Sequence, residues 1–141
     1  PGVAYWRNER DPVAAKRMAE LLDWPDFHPR LATDAPATVG VNLNLGTGEA
    51  GPLLTLDLNN YDLDVETDTV HPAPAITTTI RLPDEWRCRE LQASYVTPEM
   101  KDGALPAPLA GDAASVDHQH GTLRLQTPAF DTCLIVFLRL R

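Results

Sequence analysis

Acidic side chains stand at every second position within "LTLDLNNYDLDVETDTVHPAP" (residues 54–74), at Asp62, Asp64, Glu66 and Asp68. Carboxylates at that spacing could hold a hard cation such as calcium, which takes six to eight oxygens at about 2.3–2.6 Å. In an extended strand, alternate residues share a face but sit roughly 6.5–7 Å apart, so only a sharp bend gathers all four. Counted from Asp62, the sixth position, a glycine in an EF-hand loop, is Thr67, and the twelfth, a bidentate glutamate there, is Ala73. The EF-hand is excluded. The comb then reads as the solvated end of a strand and its loop, discouraging edge pairing, with a looser calcium site as the alternative.

"DHQH" places His118 and His120 on one side of a strand entrance beside Asp117, the beginning of a metal site that needs a further ligand. The other histidines, His28 and His71, flank prolines in loops, so solvent-exposed loop histidines are expected and no metal ligand is assigned. Ser115, Asp117 and His118 contain the residue types of a hydrolase triad, but no Gly-x-Ser-x-Gly elbow surrounds Ser115 or Ser94. A glycosidase needs two carboxylates about 5–10 Å apart across a cleft, and none of the 20 acidic residues is singled out as such a pair. "GTGEAG" leads into a strand and lacks the Lys-Ser/Thr tail of a phosphate loop, so it reads as a hairpin turn. No catalytic residue and no cofactor are expected. Cys88 and Cys133 lie in apolar, strand-like surroundings and read as unpaired core thiols, with a bridge between two strands as the minority alternative.

Flat aromatic rings could instead stack on sugar faces, the candidates being Trp6, Trp24, Tyr61 and Trp86, with Tyr5 beside the first. Against this, aromatic residues make up only 6% of the chain, and tryptophans flanking a helix commonly pin it to a sheet. A net charge of -8 would be repelled by a phosphate backbone or an anionic bilayer, so neither nucleic acid nor membrane is expected as a partner. The longest apolar run, "CLIVFL", is far short of the roughly 18 residues a spanning helix needs, and no charged-then-apolar signal peptide opens the chain. A soluble protein is expected, and Pro1 in place of a methionine suggests a piece excised or processed from something longer.

The elements that must position these residues are mostly strands. At 141 residues the chain suffices for one domain burying roughly two thirds of its unfolded surface. One helix is predicted, from an Asp11 N-cap and Pro12 at the first position, with Ala14, Met18, Leu21 and Leu22 as its apolar stripe and Pro25 as its stop. "WPDFHPRLATDAP" (24–36) reads as a linker or an extended wrap over a surface. From Val39 the period becomes two. Val39, Val41, Leu43 and Leu45 alternate along one strand, and Leu54, Leu56 and Leu58 along its hairpin partner. Further strands are predicted at 75–82, 86–96, 121–128 and 132–140, with a short one near Val70. The last long one, apolar on both faces, should lie centrally. Residues 98–120 read as a long exposed connection. The whole is an all-β chain: an antiparallel β-sandwich of about six to eight strands (37–141) preceded by an N-terminal α-helix and linker (1–36).

The stretch "LLTLDLNNYDLDVETDTVHPAPAITTTIRLP" resembles a pattern in the C-terminal β-sandwich domains of bacterial glycoside hydrolases. There a strand ends in an Asn-Tyr element, runs into an acidic loop with a proline exit, and re-enters as a strand closed by "LP". "LPDEWRCRELQASYVTPE" resembles the strand ending in a Ser/Thr-Pro-Asp/Glu turn, and "GTLRLQTPAFDTCLIVFLRL" the last two strands with their proline turn. In such proteins the acid and nucleophile lie on a preceding barrel. The resemblance, over residues 37–141, therefore implies a non-catalytic accessory domain whose partner is a neighbouring catalytic domain or another copy of itself. It carries over no active-site residue. For Asn59, Asn60 and Tyr61, which match the motif, the expected role is structural, the asparagines capping backbone groups at a strand end. A carbohydrate-binding module, with polysaccharide as its partner, is the second reading and a stand-alone hydrolase the third.

Overall fold

The computed structural model describes residues 30–48, 51–86, 90–101, 104–109 and 111–140. The expected N-terminal helix, Tyr5, Trp6, Trp24, His28 and Cys88 lie outside the described residues. Among those described, the chain forms eleven strands: β1 (Leu31–Thr33), β2 (Val39–Gly48), β3 (Gly51–Asn60), β4 (Leu63–Asp64), β5 (Thr69–Val70), β6 (Thr77–Arg81), β7 (Leu91–Val96), β8 (Ala107–Pro108), β9 (Ala114–Asp117), β10 (Thr122–Gln126) and β11 (Cys133–Leu140). Among the described residues, no helix is long and apolar enough to cross a membrane.

The alternating leucines build the long hairpin as expected, β2 and β3 pairing antiparallel, residue for residue, over ten positions. Gly51 holds a φ of 111° where the return strand begins, a backbone state that a side chain would strain. β3 then pairs with β11, and β11 with β7, giving a five-stranded sheet in the order β2-β3-β11-β7-β8. β11 is central in it, as its two apolar faces require. Leu134, Val136 and Leu138 point inward with no exposure, while Cys133, Ile135 and Phe137 are half-buried on the outer side. The Cys133 thiol is free, and the expectation that it sits in the core is corrected, because strand parity turns it outward.

A second sheet, β1-β6-β10-β9, closes the sandwich, and all its pairings are antiparallel. Its inner residues Ile80, Leu123 and Leu125 join Leu54, Leu56, Leu58 and the β11 leucines in one cluster. Fully burying each such side chain contributes about 1.5–3 kcal/mol. Two polar groups are buried among the described residues, and both are hydrogen-bonded. Thr78 meets Thr33 at 3.3 Å, and the Thr127 hydroxyl accepts the Ile76 N–H at 3.2 Å.

The strand count exceeds the expected six to eight because β1, β4, β5, β8 and β9 are two to four residues long. Alternation cannot show over so few positions. β8 and β9 fall inside residues 98–120, expected to be an exposed connection, and β1 within the stretch expected as linker or wrap. The strand expected to start at Trp86 starts at Leu91, and Asp84–Trp86 is a 3-10 turn that drives the indole into the core.

Candidate functional site

Asn60 organises one end of the sandwich. Its Nδ2 donates to the carbonyls of His71 at 2.7 Å and Asp131 at 2.6 Å, and its Oδ1 accepts the Asp62 N–H at 3.1 Å. The end of β3 is thereby tied to the exit of β5 and to the turn before β11. Ala73 and Phe130 lock the same place with reciprocal backbone bonds of 2.8 and 3.2 Å. The expected capping role of an asparagine in the Asn-Asn-Tyr element is met by Asn60.

The acid comb follows directly, and it is bent into the β4–β5 hairpin rather than extended. Asp64 Oδ1 accepts the N–H groups of Glu66 at 2.9 Å and Thr67 at 3.3 Å, so this carboxylate closes its own turn. The Thr67 hydroxyl first, then those two amides, hold the Asp64 carboxyl below its ordinary value. Asp68 takes a φ of 50° in the turn, a left-handed state that aspartate tolerates. Asp62 faces the His71 ring at 3.3 Å. Among the described residues, no three His, Cys, Asp or Glu side chains are grouped to hold a metal ion. At the opposite end, Asp117 accepts the Gln119 and His120 N–H groups and meets the His120 ring at 2.7 Å, a contact that leads the causes lowering its pKa.

A cleft of about 350 Å³ opens beside the Asn60 tie, lined by Tyr95, Thr97, Glu99, Met100, Phe130 and Asp131. A second, of about 330 Å³, adjoins it across Tyr95 and Pro128. Two features matter for its chemistry. Both clefts are open to solvent at the seam between sheets, and the Thr97 hydroxyl leads the interactions that hold Glu99 below the ordinary carboxylate range. Glu99 is thus a carboxylate at neutral pH, the wrong state for protonating a leaving group. Nothing in the sequence pointed to this cleft, because Tyr95 and Phe130 meet only when β7 and the turn before β11 come together.

The four aromatic candidates separate. Trp86 is 1% exposed in the core, so its role as a sugar platform is corrected: no face of the indole reaches solvent. Tyr61 is 71% exposed. Its ring lies so close to β2 that a Cβ on Gly40 would meet Tyr61 Cε2 at 3.0 Å, and the glycine there permits the approach. Leu63 and Val65, 48% and 82% exposed, follow Tyr61 at alternate positions into the β4–β5 hairpin, between the acids. Trp6 and Trp24 are outside the described residues.

No family model matches the chain, and no curated protein matches it significantly. Among solved structures, alpha-L-fucosidase isoenzyme 2 from Paenibacillus thiaminolyticus is similar in fold, with a TM-score of 0.55 at 13% identity. The match covers 91% of this chain and 17% of that one, so this chain corresponds to a small part of the enzyme's length and shares with that part its architecture.

Proposed function

We propose that this chain is a non-catalytic accessory β-sandwich of a carbohydrate-active enzyme, serving to pack against a neighbouring domain. The observation that carries the reading is the proportion of the fold match: 91% of this chain corresponds to 17% of an alpha-L-fucosidase chain. The interior supports it, since the space between the sheets is filled by leucine, isoleucine and valine with Trp86. Tyr61, Leu63 and Val65 are the exposed apolar side chains such a neighbour would cover.

Two measurements test this. Transcript sequencing on the 5′ side of the Pro1 codon is expected to show an open frame encoding a catalytic domain, and the isolated chain is expected to release no nitrophenol from aryl glycosides. A frame with no such domain, or turnover by the isolated chain, overturns the reading. Carbohydrate binding is the second reading, favoured by the exposure of Tyr61 and its seat on Gly40. Retardation in polysaccharide-containing gels that Tyr61→Ala abolishes would favour it over packing.

A further inference from the structure

The four outer edges of the two large sheets differ in how they are guarded. β8 is two residues long, ends in Pro108 and follows Pro106. β1 is three residues long and runs into Asp34, whose carboxylate accepts the Thr77 N–H at 2.7 Å. β9 is four residues long and exposes Ser115 and Asp117. Shortness, proline and charge are the devices that keep one sheet from adding to another. β2 has none of them. Its ten residues, "VGVNLNLGTG", carry no charge, no proline and no bulge in their pairing with β3.

Register identifies which backbone groups on this strand are unused. Tyr61 N–H donates to Thr38 O at 2.8 Å, one step beyond the Val39–Asn60 pair, so the even-numbered residues of β2 form the hydrogen-bonded pairs with β3. Asn60 N–H donates to Thr132 O at 2.8 Å, which assigns the other parity of β3 to β11 and agrees with this. The N–H and C=O groups of Val41, Leu43, Leu45 and Thr47 therefore point outward, and among the described residues no backbone partner reaches them. Their side chains continue the inner apolar layer to its margin. Val41 and Leu43 are half-buried there, and Leu45 is 56% exposed.

We propose that this rim pairs with the same rim of a second copy, antiparallel about a two-fold axis at Leu43. In that register Leu43 meets the partner's Leu43 and Val41 meets the partner's Leu45. Two five-stranded sheets become one of ten, and the apolar margin is closed. The occupant is a copy of this chain for two reasons. An uncharged rim gives an oppositely charged partner nothing to select, whereas an antiparallel strand paired with itself about a two-fold axis is self-complementary. The rim's own residues also add no like charge at the junction, and the Asp57 carboxylate on the next strand is taken up on the outer face by the Asn44 amide, which donates to it at 2.8 Å. Ten residues at about 3.3 Å each make a rim about 33 Å long, and with about 15 Å of depth over two layers it buries roughly 500 Å² per copy, at the weak end of specific interfaces. The dimer should dissociate with a constant on the order of tens of micromolar.

Sedimentation velocity of the 141-residue chain, from about 5 to 500 µM to bracket that constant, tests the proposal together with amide exchange at the four rim residues. The expected result is a shift from monomer to dimer with concentration, and exchange at Val41, Leu43, Leu45 and Thr47 that slows in parallel. Leu45→Lys should keep the wild-type circular dichroism and melting midpoint yet stay monomeric at concentrations roughly tenfold above the wild-type midpoint. Should that substitution disturb the circular dichroism, Thr47→Lys on the same exposed rim decides in its place. A monomer throughout the range overturns the proposal, as does a dimer indifferent to the lysine. Rim amides protected equally at every concentration would show that another part of this chain covers the edge, and they overturn it too.

Discussion

Replacing Asn60 by Ala and by Asp separates a side chain that merely fills space from one that donates to two carbonyls. Asn60 makes three hydrogen bonds, and its two shortest reach backbone 11 and 71 residues away. A neutral hydrogen bond contributes about 0.5–1.5 kcal/mol net, and water can replace part of that at a half-buried site, so Asn60→Ala should cost about 2 kcal/mol. At this size that lowers the melting midpoint by about 6–8 °C. Asn60→Asp has nearly the same shape and keeps an acceptor for the Asp62 N–H, but it turns a carboxylate toward the His71 and Asp131 carbonyls where an N–H₂ had been. The loss should exceed that of alanine at pH 7, reaching about 3–4 kcal/mol. Those carbonyls raise the folded-state pKa of the new carboxyl, so its penalty grows as pH rises above about 4 and recedes below it. Urea unfolding at pH 7 and pH 4 measures both effects. An aspartate variant as stable as wild type at pH 7, or more stable than the alanine variant there, would refute the donor role and with it the account of how this end of the sandwich is tied.

Other perturbations have equally defined outcomes. Val136→Asp places a carboxylate at a fully buried site on the central strand, a cost of several kcal/mol against a total near 5–15, so the variant should lack a cooperative melt; a wild-type-like melting curve would contradict the packing. Trp86→Ala should cost about 3–5 kcal/mol in urea titrations and leave any polysaccharide retardation unchanged, whereas a surface platform would show the reverse. Asp64→Asn retains the oxygen that accepts two amides, so it should shift the midpoint little at neutral pH. In acid its effect is different. Hydrogen bonds hold the Asp64 and Asp117 carboxyls below the ordinary aspartate value, so their contribution is present above that value and lost as pH falls through the lowered ones. The double variant Asp64→Asn with Asp117→Asn should therefore lose stability less steeply than wild type below about pH 4, and equal slopes would exclude the assignment.

Period-two alternation, a local property, determined the long strands. Val39 to Leu45 and Leu54 to Leu58 place every other side chain inward whatever surrounds them, and the doubly apolar run from Cys133 to Leu140 can be stable only with strands on both sides. A capping role for the asparagines was legible too, because a short amide side chain at a strand end can reach nearby backbone groups, although only the structure shows that Asn60 reaches His71 and Asp131. Tertiary structure alone decided the rest. β1, β8 and β9 are too short for a pattern and exist because β6, β7 and β10 offer them free ladder positions. Trp86 and Tyr61 look alike as candidate platforms in the sequence, yet one is buried by a 3-10 turn facing the core and the other is left outside on a glycine. The cleft at Tyr95 and Phe130 and the bare rim of β2 were invisible for the same reason: burial, exposure and unpaired backbone are relations between segments distant in sequence, and a linear pattern records only what each segment does alone.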